Sequence, residues 1–236
     1  MRYLWVLINT AVWTTVLGSF GILISFIEPT KGRTLGFCAN LWAKLILFFG
    51  GIKYSVKGLE NLDSNGAYIF AGNHASGFDI LLAFAALPYW VVSIAKIELK
   101  SVFLLGWVMT AAGHIFVDRG RGEKAIRSLK KAKISLLKTP RSVLLFPEGT
   151  RTLDGTLGLF KKGGLMLSLD TEIPIVPVAF SGTFEMLEKG SWSIRNKPIE
   201  IRIGKPISPS LFSYETRKDL VLHVREEVES LLLNKE

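Results

Sequence analysis

Ala67-Tyr68-Ile69-Phe70-Ala71-Gly72-Asn73-His74-Ala75-Ser76-Gly77-Phe78-Asp79-Ile80-Leu81-Leu82 changes character halfway along. Its first five residues form an unbroken apolar run, which predicts a short buried strand. From Gly77 to Leu87 the chain predicts a helix, which Pro88 ends because proline has no amide hydrogen to continue the ladder. A buried strand passing through a tight loop into a helix is the opening of an α/β unit.

The same alternation continues outward along the chain. Trp90 to Ala95, His114 to Val117, Ser142 to Phe146, Ile173 to Phe180 and Ile199 to Ile203 are strand-like. Val102 to Ala112, Glu123 to Leu137, Leu165 to Leu169 and Lys218 to Leu233 are helix-like. The expected fold class is therefore α/β, with a mixed, mostly parallel sheet flanked by helices. Residues 53–236 contain no internal repeat, low-complexity stretch or long linker, so they are expected to form one domain.

Upstream of Lys53 the composition differs. Tyr3 to Ile27 carries no charged side chain and, as a helix, would reach about 37 Å, enough to cross a bilayer. Glu28-Pro29-Thr30-Lys31-Gly32-Arg33 breaks it, and Leu35 to Ile52 is apolar again except for Lys44. Two helices with so short a link must run antiparallel. Residues 1–52 are thus expected to be a two-helix membrane-anchoring hairpin. Shallow insertion into one leaflet suits Lys44, which can reach the headgroups, and suits Trp5, Trp13 and Trp42. A full span and packing against the rest of the chain are the other two readings. The apolar stretch is too long for a signal peptide, and no small-x-small cleavage site follows it.

The 236 residues suffice for one α/β domain and an appendage. A formal charge of +9 admits nucleic acid or an anionic lipid surface as partner. The basic run Arg121 to Arg141 holds eight Lys or Arg against one Glu, with no aromatic residue among them. Ile126, Leu129, Ala132 and Leu136 keep helical spacing there, so an amphipathic helix is expected rather than a nucleic-acid groove. The single cysteine, Cys38, excludes an internal disulfide.

Three segments carry side chains suited to chemistry, each at the end of a predicted strand. In the first, His74 lies in the loop, and Ser76 with Asp79 three residues later fits a capping box at a helix start. Asp79 would then face back toward His74, fixing its tautomer and leaving the other ring nitrogen as a general base. A simple cap beside a satisfied histidine is the competing reading. The second segment is Phe146-Pro147-Glu148-Gly149-Thr150-Arg151, in which Gly149 permits a tight turn and Arg151 offers a planar donor fork to phosphate. A turn bearing a solvated arginine is its plainer reading. The third is Gly113-His114-Ile115-Phe116-Val117-Asp118-Arg119, with Arg119 just past a strand. In α/β sheets ligands gather at the carboxyl ends of strands. No nucleophile elbow, phosphate-binding Walker loop, zinc spacing or paired-cysteine motif occurs.

With these segments in place the chain resembles the glycerophospholipid acyltransferase family, and within it the bacterial enzymes that acylate 1-acyl-glycerol-3-phosphate. The family's H-x4-D block resembles His74 to Asp79. Its G-x-x-F-x-x-R block matches Gly113, Phe116 and Arg119, and its F-P-E-G-T-R block matches Phe146 to Arg151. Its I-P-I-V-P-V block matches Ile173 to Val178. Lys96-Ile97-Glu98-Leu99 is similar to a K-x-E-L element, and the likeness covers Lys53 to Lys205. The resemblance implies a catalytic dyad of His74 and Asp79. It also implies an acceptor site from Arg119, Glu148, Gly149, Thr150 and Arg151, with Lys96 as a further substrate-binding residue. It implies no metal and no cofactor. Acyl carrier protein or coenzyme A would supply the thioester, and lysophosphatidic acid would accept it on the sn-2 hydroxyl to give phosphatidic acid. Membrane lipids are the expected surroundings and nucleic acid is not an expected partner. Because the thioester is made in the cytosol, the cytoplasmic face of the cell membrane is the expected location. Another acceptor, glycerol-3-phosphate or a different lysophospholipid, fits the same blocks. So does a membrane-anchored phospholipid-binding protein without catalysis, although that reading leaves the histidine–aspartate pair unexplained.

Overall fold

The computed structural model describes residues 1–28, 32–118 and 122–233. Two helices come first, α1 (Arg2–Ser25) and α2 (Arg33–Phe49). They are followed by β1 (Tyr54–Lys57), β2 (Ile69–Gly72), α3 (Phe78–Ala86), β3 (Val91–Lys96), α4 (Leu105–Ala111), β4 (Ile115–Val117) and α5 (Gly122–Lys138). The chain ends with β5 (Ser142–Leu145), α6 (Lys162–Thr171), β6 (Ile175–Ser181), α7 (Thr183–Met186), β7 (Ile199–Ile203) and α8 (Arg217–Leu233).

Among the described residues the strands form one sheet in the order β1-β7-β6-β2-β5-β3-β4. The five strands from β6 to β4 are mutually parallel, β7 runs antiparallel to β6, and β1 runs parallel to β7. This is the mixed, mostly parallel sheet that the alternation predicted. β1 was not foreseen. It is four residues long, alternates half-buried with exposed positions and is flanked by lysines, so its apolar signal is weak.

The pleat of each central strand feeds two layers. Phe70, Val91, Leu144 and Val176 point to the side covered by α2 and α3. Ile69, Ala71, Val92 and Val143 point to the side covered by α5, α6 and α8. On α5 the inward-facing stripe is Ala125, Leu129, Ala132 and Leu136, the first two half-buried and the last two buried, whereas Ile126 is 58% exposed. The expected stripe began one residue late, because at 3.6 residues per turn position 125 lies closer than 126 to the line through 129, 132 and 136.

The two N-terminal helices pack together, and packing runs across the compositional break at Ile52. Ala43, Ile46 and Leu47 of α2 are fully buried in the same apolar cluster as Phe70, Leu82 and Val178. Burial of Ile46 and Leu47 contributes about 1.5–3 kcal/mol for each side chain. Asn40 Nδ2 donates to Phe84 O at 2.7 Å, closing the carboxyl end of α3. Gly36 lets the Trp90 ring lie against the helix, since a Cβ there would sit 2.2 Å from Trp90 Cδ1. Lys44 is exposed. α1 lies outside α2, tied by Trp42 Nε1 to Thr14 Oγ1 at 3.0 Å and by Arg2 to the carbonyls of Gly50 and Gly51. It is long and apolar enough to cross a membrane. Leu4, Ile8, Val12, Val16, Phe20 and Leu23 on it are exposed.

Candidate active site

At the carboxyl end of β2 the side chain of Asn73 behaves as an extra peptide group. Its Nδ2 donates to Phe180 O at 3.0 Å, and its Oδ1 accepts from Phe180 N at 2.8 Å. This pairing ties the β2 exit to β6 and lets the main chain turn away at His74. His74 is then held from both sides: its amide donates to Glu148 Oε1 at 2.7 Å and its carbonyl accepts from Thr152 N at 2.9 Å.

Asp79 is the second residue of α3 and is fully buried. Its Oδ2 accepts three hydrogen bonds, from His74 Nδ1 at 2.8 Å, Ala75 N at 2.7 Å and Ser76 N at 2.8 Å. The expected capping box is therefore replaced. Gly77 is the N-cap without any side-chain cap, and Ser76 Oγ instead donates to Leu187 O at 2.7 Å. The carboxylate itself collects the loop amides, and an anion in the first turn also suits the helix dipole. Asp79 Oδ1 is buried with no partner among the described residues, so the ring is the one side chain sharing this charge.

That arrangement sets the histidine tautomer. Oδ2 already accepts two backbone amides, so it acts as acceptor toward Nδ1, and in the neutral ring this puts the proton on Nδ1 and the lone pair on Nε2. The ring also lies flat on Phe146, with centroids 4.0 Å apart and planes 16° from parallel. Its side chain is 13% exposed, enough for a substrate hydroxyl to reach the edge.

The turn after β5 sits alongside. Glu148 is buried, and both of its oxygens bind main chain, Oε1 to His74 N and Oε2 to Gly158 N at 3.0 Å. Burial raises its pKa and the two amide bonds work against that rise. Glu148 is thus a clamp between the His74 loop and the 155–160 segment. Gly149 has φ +78°, where a side chain would be strained, and Lys161 Nζ lies 3.1 Å from the position a Cβ would take. Thr150 is exposed and its Oγ1 accepts from Lys189 Nζ at 3.3 Å. Lys189 also reaches Arg151 O at 3.4 Å. Arg151 is half-buried, and its guanidinium forms no ion pair with any described residue.

Lys96 ends β3, two strands from β2 on the same edge, and pairs with Glu98 at 3.0 Å, both side chains more than half exposed. Arg119 lies outside the described residues. His74, Asp79, Glu148, Gly149, Thr150 and Arg151 are brought together, and Lys96 stands further along the same edge. Sequence reasoning missed Asn73 and Lys189. The first sat inside a quoted block without a role, and the second is remote in sequence with no local signal.

The sequence profile described as Acyltransferase matches residues 53–181. The chain is 34% identical over 182 residues to a 1-acyl-sn-glycerol-3-phosphate acyltransferase of Limnanthes douglasii, covering 77% of this chain and 64% of that protein. It is 31% identical over 216 residues to the 1-acyl-sn-glycerol-3-phosphate acyltransferase of Saccharomyces cerevisiae, covering 89% and 71%. The chain thus spans just under two thirds of the Limnanthes relative's length. The crystal structure of the 1-acyl-sn-glycerophosphate (LPA) acyltransferase PlsC from Thermotoga maritima matches over the full length of both chains, with a TM-score of 0.77 and 26% identity. A paired histidine and aspartate at the carboxyl edge of this sheet, with sequence and fold agreeing along the chain, mean that the protein belongs to the acyltransferase family that includes the 1-acyl-sn-glycerol-3-phosphate acyltransferases.

Proposed function

We infer that the protein transfers a fatty acyl group from an acyl carrier protein or coenzyme A thioester to the sn-2 hydroxyl of lysophosphatidic acid, giving phosphatidic acid. The observation that carries this reading is the 2.8 Å contact from His74 Nδ1 to Asp79 Oδ2, with Arg151 on the neighbouring turn forming no ion pair with any described residue. The acceptor hydroxyl gives its proton to His74 Nε2 as its oxygen attacks the thioester carbonyl. The C–O bond forms, the C–S bond breaks, and the proton passes from the imidazolium to the departing sulfur. Asp79 keeps the ring oriented and stabilises the transient imidazolium. Arg151 binds the acceptor phosphate through charge-assisted hydrogen bonds, with Thr150 and Gly149 shaping the turn and Arg119 and Lys96 as further substrate contacts. Glu148 supports the same site by bracing the His74 loop.

The acceptor and product are amphiphiles, and α1 with its apolar exterior suits a chain held at the cytoplasmic face of the cell membrane, among membrane lipids. Residues 1–52 serve as the anchor and 53–236 as the acyltransferase domain, joined through α2. The test uses purified full-length protein, an isotope-labelled acyl thioester and a panel of acceptors, with mass spectrometry of the lipid product. Phosphatidic acid formed from lysophosphatidic acid in preference to other acceptors is expected. Labelled product from glycerol-3-phosphate alone would move the reading to that acceptor, and no product with any acceptor would leave only lipid binding.

A further inference from the structure

After β3 the chain runs through a 3-10 helix, Ile97–Ser101, and turns into α4 with four large apolar side chains outside. Leu99, Val102, Phe103 and Trp107 are 36%, 44%, 78% and 61% exposed. The Phe103 and Trp107 rings meet edge-on with centroids 5.2 Å apart. The turn that carries them is unusual. Leu104 has φ +60° and ψ −53°, and Leu105 N donates to Phe103 O at 2.7 Å. This is a γ-turn of the positive-φ form, rare and strained for a leucine. Such strain persists where the surrounding structure imposes it and tends to mark functional segments.

Single exposed apolar residues need no explanation, but a contiguous cluster does. This one continues from α1. α4 packs on that helix where Gly18 admits Val108, since a Cβ at Gly18 would lie 2.6 Å from Val108 Cγ2. α1 carries its own exposed apolar residues along its length, and Lys100 stands exposed beside the turn. Aromatic rings with an adjacent lysine are the side chains that settle at the boundary between headgroups and acyl chains.

We propose that residues 97–107 are a second lipid-inserting element, in which Phe103 and Trp107 enter the boundary region of an anionic bilayer and Lys100 meets lipid phosphates. The segment leaves the carboxyl end of β3, the edge that also bears His74. Inserting it holds that edge against the lipid surface, so a lysolipid reaches the histidine without leaving the membrane. This last step rests on the acyltransferase reading, while insertion itself does not.

The full chain, with Cys38→Ala to remove the lone thiol, takes an environment-sensitive fluorophore at Phe103→Cys. Adding vesicles of phosphatidylcholine with a quarter phosphatidylglycerol should shift its emission to the blue and raise its intensity about twofold or more. The same label at Lys130→Cys, exposed on α5 across the sheet, should stay unchanged. In a separate arm, Phe103→Ser with Trp107→Ser should lower turnover of a long-chain acceptor in vesicles about tenfold. Turnover of a short-chain acceptor dissolved as monomers should hold within about twofold. An unresponsive label at position 103, a response driven by protein concentration without vesicles, or equal loss on both acceptors would each overturn the proposal. Because the fluorescence arm needs no turnover, its failure is distinct from failure of the acyltransferase reading.

Discussion

His74 and His114 occupy opposite ends of parallel strands, and the difference between them lies in what faces Nδ1. His74 follows β2, and its Nδ1 meets the Asp79 carboxylate, an acceptor. His114 precedes β4, and its Nδ1 accepts from Ser93 N at 2.9 Å and lies 2.8 Å from Ser93 Oγ. An acceptor partner makes Nδ1 carry the proton and leaves Nε2 basic, whereas a donor partner occupies the Nδ1 lone pair. Burial, then the charge of Arg141, push the His114 pKa down to about 4. One ring turns its Nδ1 toward an acceptor, and the other is buried with its Nδ1 against a donor. Residue type alone therefore predicts nothing; the polarity of the partner decides.

The comparison breaks first if removal of the wrong histidine stops the reaction. His74→Ala should lower kcat about 10²–10⁴-fold while leaving melting temperature and membrane binding close to the original. Asp79→Asn should lose a comparable amount, with some stability too, because its oxygen also holds Ala75 N and Ser76 N. His114→Asn should keep kcat within about threefold, since an amide oxygen can still accept from Ser93 N. Steady-state rates on the three variants decide it. A dead His114→Asn beside an active His74→Ala would reverse the assignment.

Acid stability tests the other ring. The folded pKa of His114, about 4, lies below its ordinary value of 6.5. Between those values the unfolded chain binds a proton that the folded chain does not. Stability should therefore fall as pH drops from 6.5 toward 4, by up to about 3 kcal/mol, and level off below. In His114→Asn that part of the slope should vanish, as urea titrations across the window would measure. An unchanged slope would mean that the imidazole titrates freely and the contrast with His74 is false.

Two neighbours of His74 sharpen the picture at smaller scale. Arg151→Ala should raise the acceptor KM about 10–100-fold, with a smaller effect on kcat, as loss of a phosphate contact predicts. Glu148→Gln should do the reverse. An amide must turn its NH2 group toward either His74 N or Gly158 N, leaving a buried donor unpaired at about 1–3 kcal/mol. The His74 loop would loosen, so kcat should drop several-fold while the acceptor KM moves little. If Glu148→Gln instead raised KM as Arg151→Ala does, its carboxylate would be touching substrate.

The sheet was legible because its central strands are short, wholly apolar runs with helical stretches between them. β1 was not, since an edge strand flanked by lysines buries only alternate side chains. The stripe on α5 slipped by one residue because 125 and 126 both stand a helical step from Leu129, and isoleucine is the stronger apolar signal of the two. α1 and α2 were legible as helices, but the fit of Ala43, Ile46 and Leu47 into the core was not, because apolar residues look alike whether lipid or protein covers them. At the site, the pairing of His74 with Asp79 followed from five-residue spacing across a loop and helix start. The clamp by Glu148 and the reach of Lys189 are contacts across 74 and 39 residues, and no local pattern encodes them.

Ser76 carries the smallest expected effect and the sharpest mechanistic consequence. It is the hydroxyl nearest in sequence to the dyad, so an acyl-enzyme route would use it as nucleophile with His74 as base. Its geometry opposes that use. Oγ is fully buried and donates at 2.7 Å to Leu187 O, a partner on the segment after α7 rather than the imidazole. Ser76→Ala leaves that carbonyl short of one donor, which should lower stability by about 1–2 kcal/mol. The backbone amide of residue 76 still serves Asp79, so the carboxylate and the ring keep their positions. Activity should stay within about twofold, and initial rates against both substrates should follow the sequential pattern that direct attack of the acceptor on the thioester requires. A dead Ser76→Ala variant that folds normally, or acyl label retained on the protein after thioester is added without acceptor, would put the serine in the pathway. His74 would then activate an enzyme hydroxyl instead of a substrate one, and the contrast between the two histidines would survive with a different nucleophile.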